Sequence, residues 1–186
     1  MRDRDIKYMV NLLSYQPLLD EPMTKHTTFG IGGKAACYVY PNSQSELCEL
    51  LTYCHKNKIS VFFAGSGSNL LVSDDGFDGV VMSLRKTFKS LEISEDGTIN
   101  VESGVMLGKM VGNAIKQNIK GLESLIGVPG TLGGALIMNA GAYGSEISNY
   151  FKSATMISMS GEIKKYSQDD IEFSYRNSTF PEDEIL

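Results

Sequence analysis

The sequence predicts an α+β fold built from two small subdomains. Three observations carry that expectation. The front half alternates strand, helix and strand, the pattern of a parallel βαβ unit. The back half is richer in hairpin signals, with turns expected at Asp96-Gly97 and Ser160-Gly161. The chain of 186 residues is 42% hydrophobic and 21% charged, a globular balance, and its length suits one domain or two small subdomains sharing a core. The expected division is an N-terminal helix within residues 1–20, a βαβ subdomain over 21–85 and a second subdomain over 86–186.

Each element has a local cause. Over residues 3–15, Ile6, Met9, Val10 and Leu13 recur at helical spacing, and Pro17 stops the pattern. The glycines of "TKHTTFGIGGKAACYVY" mark a tight loop, after which Ala35 to Tyr40 reads as a strand that Pro41 ends. Ser43 and Glu46 form a capping-box pattern, and Leu47, Leu50, Leu51 and Cys54 give the following helix one apolar face. "ISVFFAG" is a short buried strand, and "GVVMSL" a further one. "KSLEISEDGTINVESG" alternates on both sides of its turn, as a hairpin does. Residues 106–118 are expected to be helical, with Met106, Leu107, Met110, Val111 and Ala114 on one side. "SATMISMSGEIKKYS" is the second hairpin, and "EIL" at the end starts like another strand, so the chain is expected to be a piece of something longer, truncated in its second subdomain.

Composition excludes several classes of function. A net charge of -5, with no Lys/Arg block interleaved with aromatics, argues against nucleic acid as a partner. No run of about 18 apolar residues is present, so no helix is expected to span a membrane. "MRDRDIKYMV" lacks an apolar signal core, and the expected location is cytoplasmic. Cys37, Cys48 and Cys54 match no metal-ligand spacing, no metal site is expected, and Cys48 and Cys54 read as packing thiols.

Two glycine-rich stretches remain. "GSGSN", Gly65 to Asn69, follows a strand, where α/β folds place ligands. A dinucleotide fingerprint fails because Leu70 stands where its third glycine belongs, and "GIGGKA" fails as a phosphate loop because Thr28 and Ala35 replace its glycine and Ser/Thr. Gly65 and Gly67 permit backbone N–H groups to converge on an oxyanion, with Ser66, Ser68 and Asn69 as added donors; a polar turn without a ligand is the other reading. "GVPGTLGGALIMNAGAYG", residues 127–144, is turn-like at Pro129 and Gly130 and can start a helix at Thr131. Paired Gly133 and Gly134 suggest something packed against backbone, either a ligand or a neighbouring sheet.

Four stretches in order, "HTTFGIGGKA", "AGSGSNLLVSDDGFDGVV", "GLESLIGVPGTLGGALIMNAGAYG" and "FSYRNSTF", resemble the UDP-N-acetylenolpyruvoylglucosamine reductases, flavoenzymes of peptidoglycan precursor synthesis. The resemblance runs from about residue 20 to about residue 180. It implies an FAD-binding fold of the vanillyl-alcohol-oxidase-like (PCMH-type) group, with FAD between two α/β subdomains. It assigns Gly65, Ser66, Gly67, Ser68 and Asn69 to the pyrophosphate, and Leu70 to the cofactor site beside them. Gly127, Val128, Pro129, Gly130, Thr131, Gly133, Gly134, Asn139, Ala140, Gly141 and Gly144 are assigned to the flavin side. FAD is expected to be non-covalent, because the loop 65–69 has no histidine and the chain has only His26 and His55. The reaction implied is reduction of FAD by NADPH, then of the enolpyruvyl group of a UDP-sugar to give UDP-N-acetylmuramate. Arg176 in "SYRNS" matches the family's catalytic arginine and Tyr175 the neighbouring substrate position. A pairing of Arg176 with Asp169, Asp170 or Glu172 is the alternative. The family's proton-donor serine and its C-terminal glutamate lie after the arginine motif and have no counterpart before Leu186. Two readings follow: the flavin half of the reductase, or an FAD-binding module that does not complete turnover.

Overall fold

A computed structural model describes all residues, Met1–Leu186. The first helix, α1, covers Asp3–Leu12 and stops short of the expected end, because Leu13 is already extended at φ -76°, ψ 139°. β1 (Leu18–Pro22) follows, a strand the sequence did not announce: its residues are exposed or half-buried and show no alternation. β2 spans Lys34–Val39, α2 Gln44–Asn57, β3 Val61–Phe63 and β4 Phe77–Met82.

These strands form one sheet in the order β1-β2-β4-β3. β2 and β3 are parallel, as expected of a βαβ unit, but they are not neighbours: β4 enters between them and pairs in parallel with both. The composition of β4 explains its central place. Val80 and Met82 bury toward α1 and α2, Val81 buries on the opposite face with Tyr38, and a strand covered on both faces reads as a continuous apolar run. The expected face of α2 is buried at Leu47, Leu50, Leu51 and Cys54. Burial pushes the Cys37 and Cys54 thiols up to about 12, the state of inert packing residues.

The predicted capping box forms only half. Ser43 caps α2 by accepting from the Glu46 N–H at 3.1 Å. The Glu46 carboxylate turns away from Ser43 and accepts instead from the backbone N–H groups of Ser14, at 3.0 Å, and Asn42. A buried carboxylate thereby ties the α1–β1 connection to the start of α2.

The second half begins with the expected hairpin, β5 (Leu91–Ile93) and β6 (Ile99–Val101), in register Leu91↔Val101 across Asp96-Gly97. α3 covers Leu107–Lys116 and buries Leu107, Met110, Val111 and Ala114. Met106 was expected on that face; it is the residue that caps the helix, and it is 43% exposed. α4 is short, Leu132–Ile137, and two tight hairpins flank it in space: β7 (Gly141–Ala142) with β8 (Ser145–Glu146), and β11 (Phe173–Ser174) with β12 (Asn177–Ser178). β9 (Ser153–Ser158) and β10 (Ile163–Ser167) make the second predicted hairpin, and β13 (Glu184–Ile185) adds to the other edge of β9. Most of this half shares a 16-residue core, while Ile157 and Ile185 pack into the cluster around α1, α2 and β4. No helix is long and apolar enough to cross a membrane.

Glu46→Ala removes the acceptor of two part-buried backbone donors and should lower unfolding free energy by about 2 kcal/mol. Ser43→Ala removes one cap and should cost about 1 kcal/mol. Urea denaturation of the two variants checks the order; equal losses would remove the bridging role of Glu46.

Candidate functional site

Three glycine-containing loops converge at the carboxyl ends of β3 and β4. Gly67 lies at φ +76°, and a side chain there would overlap the carbonyl oxygen of His26. The two backbones are in direct contact, and Thr28 N–H donates to the Gly67 carbonyl at 3.0 Å. A Cβ on Gly65 would sit 2.6 Å from Thr131 Oγ1. The Gly65 carbonyl accepts from Ser83 Oγ at 3.3 Å, and Ser68 Oγ donates to the Pro129 carbonyl at 3.3 Å. "HTTFGIGG", "GSGSN" and "GVPGT" are therefore one assembly.

Its hydrogen bonds are one-sided. The carbonyls of Gly65 and Gly67 are satisfied by the protein, whereas no backbone N–H from Gly65 through Leu70 has a protein acceptor. Backbone donors must find partners in water or a ligand. Successive N–H groups with their carbonyls turned away form a concavity suited to an anion. The residues present thus fit a phosphate-bearing group. Of the expected cofactor residues here, Asn69 is exposed, while Leu70 packs under the loop against the Tyr38 cluster.

The stretch 127–144 has two parts. Its front hangs from residues 103–107: Leu107 N–H donates to Gly130 O, Leu132 N–H to Val105 O and Gly133 N–H to Ser103 O, at 2.8–2.9 Å. Thr131 caps α4 by accepting from the Gly134 N–H at 3.5 Å. Gly127 and Pro129 are exposed, and Val128 folds back so that its N–H reaches Leu125 O at 3.1 Å. The six residues of α4 then carry the chain about 9 Å from this end.

At the far end stands a second group. Arg176 lies in the left-handed region at φ 55°, in the turn between β11 and β12. Its Nη2 donates to the Gly141 carbonyl at 2.9 Å and its Nη1 to the Asn139 carbonyl at 3.4 Å. None of the six ion pairs in the chain includes it, so Asp169, Asp170 and Glu172 do not neutralise it. Asp170 instead accepts from Ser167, whose N–H and hydroxyl donors hold its carboxyl below the usual range. The guanidinium lies 4.9 Å from the ring of Tyr175, which is 81% exposed. Ala140 packs on the core and Gly144 is exposed in the β7–β8 turn. Asn139, expected beside the flavin, is fully buried, with Glu146, Ser174 and Ser148 as its side-chain partners.

Sequence reasoning missed the supports. His26 stacks on Tyr38 with ring centroids 4.0 Å apart and its Nε2 lies 3.0 Å from Glu21 Oε1. The run "HTTFGIGG" signals a tight loop but not that it lies against Gly67. Ser83 and Ser103 carry no sequence signal. A cavity of about 890 Å3, lined among others by Phe88, Ile119, Leu136 and Ile185, includes no residue of 65–70 or 127–131.

This fold, with its run of free backbone donors, is that of a flavin-nucleotide-binding protein: the chain belongs to the FAD binding domain family, which matches residues 35–167. Among curated proteins, it is 41% identical over 181 residues to UDP-N-acetylenolpyruvoylglucosamine reductase of Clostridioides difficile, covering 96% of this chain and 59% of that protein. It is 40% identical over 168 residues to the reductase of the same name from Listeria innocua, covering 90% and 56%. The crystal structure of UDP-N-acetylenolpyruvylglucosamine reductase from Thermus caldophilus superposes with a TM-score of 0.70 at 28% identity, over 91% of this chain and 58% of that one. A glucooligosaccharide oxidase from Acremonium strictum shares the fold, with a TM-score of 0.64 at 12% identity over 89% and 37%. The chain thus spans 56–59% of the length of these two curated relatives.

Gly67→Val forces the loop off His26 and displaces the free donors. FAD affinity, read by quenching of flavin fluorescence, should fall by at least about tenfold, or 1.4 kcal/mol. Wild-type affinity in a folded variant would exclude the loop from phosphate binding.

Proposed function

We propose that the chain is the flavin-binding part of a UDP-N-acetylenolpyruvoylglucosamine reductase in cytoplasmic peptidoglycan precursor synthesis. The observation that carries this is the unbroken set of free N–H donors from Gly65 to Leu70, facing Pro129–Thr131 across the Ser68 contact. Relatives of that name at 40–41% identity support it. The two subdomains would be residues 21–85, which hold most of the four-stranded sheet, and 86–186, which hold the second core.

The N–H groups of 65–70 and the hydroxyls of Ser66 and Ser68 would take the pyrophosphate, without a covalent link. The backbone of 127–134, with Ala140, Gly141 and Gly144 beyond α4, would face the flavin. Bound FAD supplies hydride transfer from NADPH to the enolpyruvyl double bond of the UDP-sugar. Arg176 lies beyond the far end of α4 with its charge uncompensated. There it would stabilise the negative charge that develops on the substrate carboxylate and enolate. Tyr175, stacked with Arg176 and otherwise exposed, would contact the substrate. A module that binds FAD without completing the reduction is the second reading, since the residues that fit lie on the cofactor side.

The test is to load the chain with FAD and follow NADPH oxidation with and without the enolpyruvyl UDP-sugar, alone and in a form extended to the relatives' length. Sugar-dependent oxidation by the extended form supports the reductase. Absence of flavin absorbance in both would defeat both readings. In the extended form, Arg176→Ala should keep FAD but slow enolpyruvyl reduction by about 100-fold or more. Unchanged turnover would remove Arg176 from the mechanism.

A further inference from the structure

Arg176 is an exposed cation without an acidic partner, although a carboxylate stands close by. Gly141 pairs with Glu146 across the β7–β8 hairpin. A Cβ placed on Gly141 would lie 2.9 Å from Glu146 Cγ and 3.2 Å from Arg176 Nη1, so the two side chains flank one point within about 6 Å of each other. No ion pair forms between them. The Glu146 carboxylate is turned the other way, where its Oε2 accepts from Asn139 Nδ2 at 2.7 Å.

Asn139 is fully buried at φ 41° and uses its whole side chain. Nδ2 also donates to the Ser174 carbonyl at 2.9 Å, which fixes the hairpin that carries Arg176. Oδ1 accepts from Ser148 N–H at 3.3 Å, which fixes the segment after Glu146. The Asn139 carbonyl itself receives Arg176 Nη1 at 3.4 Å. One amide therefore holds the arginine's turn and occupies the neighbouring acid. An asparagine suits this: it tolerates the left-handed backbone, and its NH2 donates twice while its oxygen accepts.

We propose that Asn139 is a positioning residue that holds Glu146 off Arg176 and so keeps the guanidinium charge available to an external anion. The reductase reading supplies only the identity of that anion, the carboxylate of the enolpyruvyl group.

Phenylglyoxal labelling of the cofactor-free chain, mapped by peptide mass spectrometry, tests this without FAD or turnover. Its outcome is thereby separate from that of the reductase reading. Asn139→Gly accepts the backbone conformation and frees Glu146; the Arg176 adduct should then form several-fold more slowly, as the arginine becomes paired. Adding Glu146→Gln to that variant should restore the original rate. Glu146→Gln alone, which preserves shape, should leave the rate unchanged. An unchanged rate in folded Asn139→Gly overturns the proposal. So does a faster rate in Glu146→Gln alone, an arm that decides the matter even if Asn139→Gly does not fold.

Discussion

At Gly67, backbone meets backbone. The carbonyl of His26 occupies the space that a side chain on Gly67 would fill, and Thr28 N–H bonds the Gly67 carbonyl in return. Gly65 is pressed in the same way against the Thr131 hydroxyl. Both carbonyls are committed to the protein, while the N–H groups of residues 65–70 have no protein acceptor. This run of free donors is thus less a set of residues than a consequence of how closely three loops approach, and any side chain at either glycine would separate them.

The rest of the first half delivers those loops. Placing β4 between β2 and β3 brings Ser83, just past its end, beside the loop that follows β3. The loop before β2 is laid on the same spot by β1 and by the His26–Tyr38 stack. This is the position at strand ends where parallel sheets leave room for ligands. From there α4 acts as a spacer: its capping residue Thr131 touches the Gly65 loop, and its far end leads to Asn139 and the Arg176 turn. The stretch 127–144 therefore joins two separate clusters, the glycine loops at its front and the Arg176 turn at its end.

Two buried polar residues show how far partners depend on packing. Glu46 has the spacing of a capping box, but its carboxylate satisfies Ser14 and Asn42. Asn139 lies in a run that suggests a ligand wall, yet all of its amide bonding is internal. The capping-box spacing marks Glu46 as a bonding residue, whereas nothing local marks Asn139 as the partner of Glu146, Ser174 and Ser148. What the pattern lacked was the identity of segments that come near only after folding.

The sequence by itself determined most of the elements. Period and turn chemistry act over a few residues, so α2, α3 and the hairpins at Asp96-Gly97 and Ser160-Gly161 were legible, as was the glycine loop after β3. Its motifs also pointed to the FAD-binding fold. The tertiary structure alone decided the insertion of β4 and the presence of β1, whose half-exposed residues carry no periodic signal. It alone set "HTTFGIGG" against Gly67 and left Arg176 unpaired. Those outcomes rest on contacts between distant segments, where the energy lies in which backbones can approach and which buried donors find acceptors, and no spacing along the chain encodes that directly.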